Sequence, residues 1–479
     1  MGLRRIRLVF SYVRSQAIPD RKASLQENLY SFESRNYNFL DCERFSSPKQ
    51  FGIAMAMAVL KSCFNLEKFS TLKDDLIAIS EKNILKWLKK RDESSCKALM
   101  KDIEKPFDLE TEISNFKLMV KKEAKVKLDD SCLSKHPPAQ NIMFHRKAVN
   151  AIFSPVFDEF KNRVLYCLNS NIVFFTEMTN DHFSQILRRL LGDQDVYNVG
   201  EIDFSKFDKS QDIFVKEYER TLYEAFGIDS ELLNVWMQGE YSAKATTLDG
   251  SLSFSVDNQR RSGGSNTWIG NSLVTLGIIA LYYDVSKFRL LAISGDDSLI
   301  YSDNKIANFA TEICLESGFE TKFMSPSVPY FCSKFVVQTG TNTVFVPDPY
   351  KLMVKLGASN KFVTNEGLFE VYTSFRDLTK DYGNQIVLER LKHLVEKKYN
   401  FESGTTLPAL QALHCLRSNF MSFARLFPRI SGWWMVDPRN LKFFVKLPGI
   451  IIERVNEERD SRYFVSLLDS AEATVVSQD

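Results

Sequence analysis

The chain has 479 residues, of which 44% are hydrophobic and 25% are charged. At roughly 100 to 200 residues per domain this length predicts two to four domains, and the composition excludes a wholly disordered or collagen-like chain. Lys and Arg number 62 against 60 Asp and Glu, a net charge of +2. A nucleic acid would therefore need a local basic groove, because the average surface offers it no attraction.

The cysteine pattern and the hydropathy limit the cellular setting. The eight cysteines never form a CxxC pair, which favours a reducing compartment and buried thiols. The longest nearly apolar stretch, residues 273–283, is far shorter than the roughly 18 residues of a membrane span. The sequence thus predicts no intrinsic transmembrane segment.

Three regions follow one another along the chain. Helical patterns dominate up to about Phe107, strands alternate with helices between Tyr197 and about Gly357, and helical patterns then return to the end. Between the first two regions, from Phe116 to Pro138, the chain is rich in lysine and then contains proline, which is typical of a loop. The predicted fold class is α+β, with a mixed centre between helical flanks.

The first half of the mixed centre contains a strand and two helices. Residues 197–202 predict a short strand, and residues 212–226 predict a helix that Gly227 ends. Residues 266–280 are apolar on most sides and follow the glycine loop at 262–264. We expect this loop to lead into a buried helix.

The second half begins with the clearest local signal. Residues 288–294 and 298–301 are apolar and β-prone, and Gly295, Asp296 and Asp297 separate them. This pattern predicts a hairpin with acidic residues at its tip.

A helix and a second hairpin follow. Apolar residues recur at helical spacing over residues 306–314, and Gly318 provides a stop. Residues 330–337 and 343–346 predict two further paired strands.

Two aspartates are candidates for metal chemistry. Asp203 and Asp296 follow separate strand patterns, and paired carboxylates are what two Mg²⁺ ions need to hold an attacking and a leaving oxygen. An aspartate in a turn is the ordinary alternative for each. Lys121, Lys125 and Lys127 could bind a triphosphate, and a solvated face is their alternative.

Three segments resemble motifs A, B and C of viral RNA-dependent RNA polymerases. They are DFSKFDKSQ at 203–211, SGGSNTWIGN at 262–271 and SGDD at 294–297. The variants are most similar to the alphavirus-like supergroup, and within it to closteroviruses. Further segments resemble the same group: VKKEAKVKLD at 120–129 with QNI at 140–142 and NAIFSP at 150–155 (motif F), YFCSKF at 330–335, and PDPYKLMVKLG at 347–357.

The resemblance implies a right-hand polymerase with a palm sheet like that of an RNA recognition motif and with largely helical fingers and thumb. Residues 1–112 would form an N-terminal region and fingers extension, and 113–195 the fingers with a basic NTP-entry loop. Residues 196–357 would form the palm with motifs A to E, interrupted by a fingers insertion at 228–261. Residues 358–479 would form the thumb.

The resemblance also implies the roles of the acidic residues. Asp203 and Asp296 would bind two Mg²⁺ ions, with Mn²⁺ as a substitute, and Asp297 would assist. Lys322, in GFETK at 318–322, would act as a general acid near the leaving pyrophosphate. An ordinary exposed strand lysine is the alternative for Lys322.

Sugar recognition is implied for a second group of residues. Asp208 with Asn271, helped by Ser262 and Thr267, would read the ribose 2′-hydroxyl, which a dNTP lacks. A reverse transcriptase would instead carry a bulky residue near Asp208. A catalytically silent RNA-binding scaffold is another alternative, and it could lose the carboxylates that are present here.

The implied partners are template and product RNA, NTPs, and a viral helicase and capping protein on a separate or fused polypeptide. No GxxxxGK[ST] motif occurs, so we expect helicase work elsewhere. Met1 need not be the natural start, because polymerases of this group are made as extensions of such a protein. We expect the host cytoplasm, at membrane-associated replication complexes reached through partners.

Basic and aromatic residues alternate in the C-terminal region, a composition that suits an RNA groove. The cationic candidates for RNA binding are Arg429, Arg439, Lys442 and Lys446. A thumb core with solvated cations and an interfacial membrane anchor are the alternatives.

Overall fold

The computed structural model describes residues 21, 23–36, 47–72, 75–121, 138–192, 197–340, 342–358 and 365–426, and the backbone of short strands at 4–5, 435–436, 443–447 and 450–455. The chain divides into two compact units. The larger comprises residues 20–124 and 130–332, and the smaller comprises residues 1–19, 125–129 and 333–479.

Helices and strands are numbered in chain order. The helices are α1 Leu25–Asn36, α2 Pro48–Ser62, α3 Leu66–Ser70, α4 Glu81–Lys89, α5 Glu93–Ile103, α6 Leu109–Glu112, α7 Lys147–Cys167, α8 Asn180–Leu191, α9 Ile213–Ala225, α10 Ser230–Tyr241, α11 Thr267–Tyr282, α12 Ala310–Ser317, α13 Pro349–Ala358, α14 Asn365–Leu378, α15 Gln385–Tyr399, α16 Thr406–Ser418 and α17 Phe420–Ala424. Short 3₁₀ turns lie at Val285–Lys287 and Lys380–Gly383. The strands are β1 Arg4–Arg5, β2 Asn115–Val120, β3 Asn141–Phe144, β4 Ile172–Phe174, β5 Asn198–Phe204, β6 Ser242–Thr247, β7 Ser253–Asp257, β8 Phe288–Ser294, β9 Asp297–Ser302, β10 Thr321–Met324, β11 Tyr330–Phe331, β12 Lys334–Gln338, β13 Thr343–Pro347, β14 Met435–Val436, β15 Phe443–Leu447 and β16 Ile450–Val455.

Two sheets of the described residues lie within the larger unit. The five-stranded sheet has the order β10-β5-β9-β8-β4; its first four strands are antiparallel neighbours, and β4 runs parallel to β8. The four-stranded sheet has the order β3-β2-β6-β7, with β2 and β6 parallel. The main core joins apolar residues of β5, β8 and β9 to those of α2, α7, α9 and α11.

Close helix packing brings α9 into this core. A Cβ at Gly52 of α2 would lie 2.3 Å from the main-chain oxygen of Phe214, so only glycine lets the two backbones approach this closely. Asp212 caps α9 by accepting from the Phe214 amide, and Gly227 follows its end with φ 86°, a conformation that favours glycine. Both ends of α9 are therefore set by local sequence.

The smaller unit is a hairpin with helices. β12 and β13 pair antiparallel from Lys334 opposite Pro347 to Gln338 opposite Thr343. The buried Tyr382 hydroxyl donates to the Pro347 carbonyl at 2.7 Å, which ties the segment between α14 and α15 to the hairpin. β15 and β16 pair antiparallel as well.

Most of the predicted elements agree with the structure. The α+β class is confirmed, and so are the β8–β9 and β12–β13 hairpins and the helices α9, α11 and α12. The borders predicted for fingers, palm and thumb stay predictions. No helix among the described residues is both long and apolar enough to cross a membrane.

Three sequence expectations are wrong in part. Asn115–Val120 is a strand rather than a loop, with buried residues alternating along it, because it pairs with both β3 and β6. Helices do not continue to the end, since β15 and β16 form there. Not all thiols are buried, because Cys314 and Cys415 are exposed whereas Cys63 and Cys167 are buried.

Candidate active site

The tip of the β8–β9 hairpin carries two of the candidate aspartates. Ser294 pairs with Asp297, so Gly295 and Asp296 form the turn, and Gly295 has φ 64°. Helix α11 holds the glycine from both sides. The Gly295 amide donates to Ser272 Oγ at 2.9 Å, and its carbonyl accepts from Thr275 Oγ1 at 2.8 Å.

Asp203 lies near the end of the neighbouring strand β5. The β5–β9 pairing ends at Gly200 and Ile300, and beyond it a side chain joins the two strands. The buried Ser298 hydroxyl accepts from the Ile202 amide at 3.0 Å and donates to the Ile202 carbonyl at 2.9 Å. This bridge fixes Asp203 relative to the residues that begin β9.

Loss of hydration and nearby negative charges both act on the pKa of Asp296. Although the residue is exposed at the tip, the surrounding protein removes part of the hydration of its carboxyl group. Together with the negative charges of Asp297, Asp208 and Asp203, this raises the pKa of Asp296 to about 6. The candidate carboxylates thus lie within electrostatic reach of one another.

Lys322 stands beside Asp203 on the adjacent strand. The two residues are directly opposite in the β10–β5 pair, so their side chains share one face of the sheet with Cβ atoms about 4.5–5.5 Å apart. Lys322 is exposed. The structure therefore brings an accessible cation next to the acidic cluster.

The predicted sugar-reading residues are in direct contact. Asn271 Nδ2 donates to Asp208 Oδ1 at 2.8 Å. The Asn271 oxygen accepts from Gln211 Nε2 at 2.9 Å and from Arg260 Nε at 3.0 Å. Burial raises the pKa of Asp208, although the Asn271 hydrogen bond and the charges of Arg260 and Lys216 oppose the rise.

The other two predicted helpers, Ser262 and Thr267, close the glycine loop. Ser262 Oγ donates to the Asn141 carbonyl at 2.9 Å. Thr267 Oγ1 donates to the carbonyls of Arg261 at 2.7 Å and Gly264 at 2.9 Å. Their part in ribose recognition stays a prediction.

A buried ionic cluster lies behind Asp208 and Asn271, and sequence reasoning missed it. It consists of Lys216 and Glu219 on α9, Glu240 on α10, and Arg260 and Arg261 before the glycine loop, all at most 3% exposed. Glu219 accepts from Arg260 at 2.6 Å, and Lys216 contacts Glu240. Burial alone would raise the pKa of Glu240, but Lys216, Arg261 and Arg260 outweigh it and keep this pKa below its usual value.

The remaining predicted residues are described in part or not at all. Lys121 follows β2, is half-buried, and its amide donates to the Gln140 carbonyl at 2.8 Å. The others lie outside the described residues, except that the backbone of Lys446 is in β15: Lys125, Lys127, Arg429, Arg439, Lys442 and Lys446.

A cavity of about 650 Å³ opens beside the glycine loop. Its lining includes Trp87, Arg91 and Lys147 as well as Gly264 and Ser265 of the loop. Ser265 Oγ donates to Asn150 Oδ1 on α7 at 3.1 Å, so the loop is fastened to one wall of the cavity. Cations, an aromatic ring and the carboxylates of Asp158 and Glu177 therefore line an open space next to the glycine loop.

A family model described as RNA dependent RNA polymerase matches residues 7–426. The chain belongs to the RNA-dependent RNA polymerase family. This polymerase-family chain is 64% identical over 436 residues to Replicase polyprotein 1ab of Beet yellows virus (isolate Ukraine), a match that covers 91% of this chain and 14% of that protein. The resemblance to closterovirus polymerases is thereby confirmed.

Two further relatives extend the comparison. Replicase polyprotein 1ab of Grapevine leafroll-associated virus 3 is 35% identical over 423 residues, covering 87% of this chain and 15% of that protein. The methyltransferase/helicase/RNA-directed RNA polymerase of Raspberry bushy dwarf virus is 28% identical over 418 residues, covering 86% and 24%. The polymerase-family chain therefore spans at most about a quarter of each of these relatives.

The acidic cluster fits a divalent cation. Within the described ranges no three His, Cys, Asp or Glu side chains converge into a complete metal site. Mg²⁺ rarely needs one, because it retains waters and binds one or two carboxylates together with substrate phosphates. The raised pKa of Asp296 marks a group whose charge a cation would stabilise. Asp203, Asp296 and Asp297 are thus suited to supply part of a Mg²⁺ ligand set, with water and substrate phosphates supplying the rest.

Proposed function

We propose that the chain copies a viral positive-strand RNA genome by nucleotidyl transfer from NTPs. The observation that carries this proposal is the acidic cluster: Asp296 and Asp297 at a hairpin tip held by α11, with Asp203 on the adjoining strand. The order of motifs A to C and membership of the polymerase family support it.

The reaction joins the primer 3′-oxygen to the α-phosphorus of the incoming NTP. The bond between that phosphorus and the bridging oxygen breaks, and pyrophosphate leaves. Asp203, Asp296 and Asp297 would hold two Mg²⁺ ions, which supply charge stabilisation for the attacking and the leaving oxygen. The carboxylates serve this function in their ionised form.

Lys322 is suited to the leaving group. Its position beside Asp203 on an exposed strand lets its ammonium group donate a proton to the departing pyrophosphate. The hydroxyl proton of the primer passes to solvent, so the charges balance. Lys121, Lys125 and Lys127 would hold the triphosphate as it enters.

Asp208 and Asn271 select the sugar. The hydrogen bond between Asp208 and Asn271 uses one carboxylate oxygen and one N–H. The contacts of the described residues leave the other oxygen and the other N–H for a 2′-hydroxyl, which can be both donor and acceptor. A deoxyribose would leave them unpaired, which favours RNA synthesis over reverse transcription.

RNA would approach from the cavity beside the glycine loop. The Arg91 guanidinium lies over the Trp87 ring, 4.5 Å from its centroid, so this pair offers a ring and a cation together, and Lys147 offers another cation for phosphates. By the resemblance, residues 1–112 would form an N-terminal region and fingers extension, 113–195 the fingers, 196–357 the palm with a fingers insertion at 228–261, and 358–479 the thumb. The basic C-terminal region would contact the product RNA.

Other work of replication would belong to partners. The name of the Raspberry bushy dwarf virus relative includes methyltransferase and helicase, and we propose that such activities act with this chain from a separate or fused polypeptide. Through them the chain would reach membrane-associated replication complexes in the host cytoplasm.

Primer extension tests the proposal directly. Purified protein is supplied with a primed homopolymer RNA template, NTPs and Mg²⁺, and elongation is followed on a denaturing gel. Template-dependent elongation is expected, and it should disappear in Asp296→Ala. A wild-type protein that binds RNA but adds no nucleotide would instead favour the RNA-binding scaffold.

A further inference from the structure

Arg260 joins the buried ionic cluster to the pair that reads the sugar. Its Nε donates to Asn271 Oδ1 at 3.0 Å and its Nη2 to Glu219 Oε1 at 2.6 Å, and its side chain is fully buried. We propose that Arg260 is a positioning residue that fixes the Asn271 amide and thereby sets the preference for ribose over deoxyribose. This inference rests on the proposed function.

The two ends of the Asn271 amide have different partners. An arginine donates hydrogen bonds and never accepts them, so only the amide oxygen of Asn271 can face Arg260. The amide nitrogen then faces Asp208, as observed at 2.8 Å. A flipped amide would set N–H against N–H at Arg260 and oxygen against oxygen at Asp208.

Gln211 cannot provide the same lock. It also donates to Asn271 Oδ1, at 2.9 Å, but its own amide can rotate and accept instead of donating. Of the residues hydrogen-bonded to the Asn271 oxygen, Arg260 alone rejects one of the two amide orientations.

The orientation decides what the nucleotide meets. With the amide nitrogen at Asp208, the pair offers a carboxylate oxygen as acceptor and an N–H as donor, which complement the two functions of a hydroxyl. With the amide flipped, the N–H would turn towards Arg260 and the site would lose its donor. An NTP would then lose a hydrogen bond that a dNTP never made.

Arg260 is itself held in place. Glu219 Oε1 also accepts from the Tyr223 hydroxyl at 3.1 Å, and Lys216 donates to Glu219 Oε2 at 3.3 Å. A Cβ at Gly270 would lie 2.5 Å from Glu219 Oε1 and 2.7 Å from Arg260 Nη1. The glycine immediately before Asn271 therefore leaves the room that this ion pair occupies.

The neighbouring arginine provides a matched control. Arg261 is also buried and belongs to the same cluster, where it lies 3.8 Å from Glu240. It donates to the main-chain oxygens of Glu240, Gln259 and Val256. No described contact joins its side chain to Asn271 or Asp208. Replacing either arginine should therefore reduce stability, whereas only replacement of Arg260 should change the preference for ribose over deoxyribose.

The experiment compares Arg260→Gln with Arg261→Gln. Glutamine can accept as well as donate, so the first variant removes the constraint that Arg260 places on the Asn271 amide and leaves Asp208 alone to hold it. The kcat/KM for an NTP and for the matching dNTP is measured in primer extension, with the melting temperature as a check on folding. In Arg260→Gln the NTP to dNTP ratio should fall about tenfold or more, with the loss on the NTP side, while Arg261→Gln stays within about twofold of wild type.

Two results would overturn the inference: a wild-type ratio in Arg260→Gln, or an equal fall in both variants. If either single variant fails to fold, the pairs Glu219→Gln with Arg260→Gln and Glu240→Gln with Arg261→Gln make the same comparison without leaving a buried charge unpaired. Failure of the proposed function looks different, since the wild type would then add no nucleotide, or Asp208→Ala would leave the ratio unchanged.

Discussion

Asp296→Asn should stabilise the protein above pH 6 when no metal is present. In the folded protein the Asp296 pKa is about 6 instead of 3.8. Between about pH 4 and 6 the folded chain therefore keeps a proton that the unfolded chain has already lost. The free energy of unfolding falls as the pH rises over this range, and the loss is complete above about pH 6. Asparagine is neutral at every pH and escapes this loss.

The expected size follows from the shift. About two pKa units correspond to at most about 3 kcal/mol, and since the carboxylate is exposed, solvent screening reduces this to about 1 kcal/mol. In a chain of this size that is about 2 °C in melting temperature. Below about pH 4 both forms are neutral and the difference should vanish.

Thermal melting in EDTA between pH 4 and 8 measures this difference. Adding Mg²⁺ at pH 7.5 should stabilise the wild type more than the variant, because a cation that binds only the folded state raises its stability. Glu33→Gln, on the exposed side of α1, is the control for loss of a negative charge. A variant no more stable than wild type at pH 7.5 in EDTA, or a gap that does not change with pH, would refute the reasoning.

Four further substitutions test the site. Asp203→Ala should keep the fold but reduce nucleotide incorporation by orders of magnitude, since each ~1.4 kcal/mol of lost transition-state stabilisation is tenfold; near wild-type primer extension would contradict its assignment. Asp208→Ala and Asn271→Ala should each lower NTP use far more than dNTP use, and an unchanged ratio of the two kcat/KM values would make both residues structural. Ser298→Ala removes both hydrogen bonds to Ile202 and should cost about 1–3 kcal/mol in denaturant unfolding, with a higher Mg²⁺ concentration needed for half-maximal activity. An unchanged metal requirement would show that the bridge does not position Asp203.

Local signals predicted the elements that local physics decides. Gly227 and Gly318 end their helices with φ 86° and 76°, and the glycine in the turn before Asp296 forms the hairpin that its flanking apolar strands predicted. Each of these depends on neighbours in the sequence. Short-range patterns are therefore sufficient to place the acidic tip.

Elements that depend on distant partners were harder to predict. Lys117 and the lysines that follow Val120 suggested a loop, but Phe116, Leu118 and Val120 alternate inward. Their strand is completed by β6, more than a hundred residues further along. Periodicity was the better signal here, because a lysine on an exposed strand position costs the fold little.

The cluster behind the sugar-reading pair could not be derived from sequence patterns. Lys216 and Glu219, on one helix, are spaced like a solvent-exposed ion pair, and nothing nearby in sequence reveals that Arg260 neutralises Glu219 in the core. Gly270 within a helix would ordinarily count as a weakness. In the folded protein its missing side chain makes room for that ion pair, and the orientation of Asn271 depends on the arginine that occupies this room. Sequence motifs thus predict which residues would face a nucleotide, whereas the residues that orient them become visible only when distant segments are brought together.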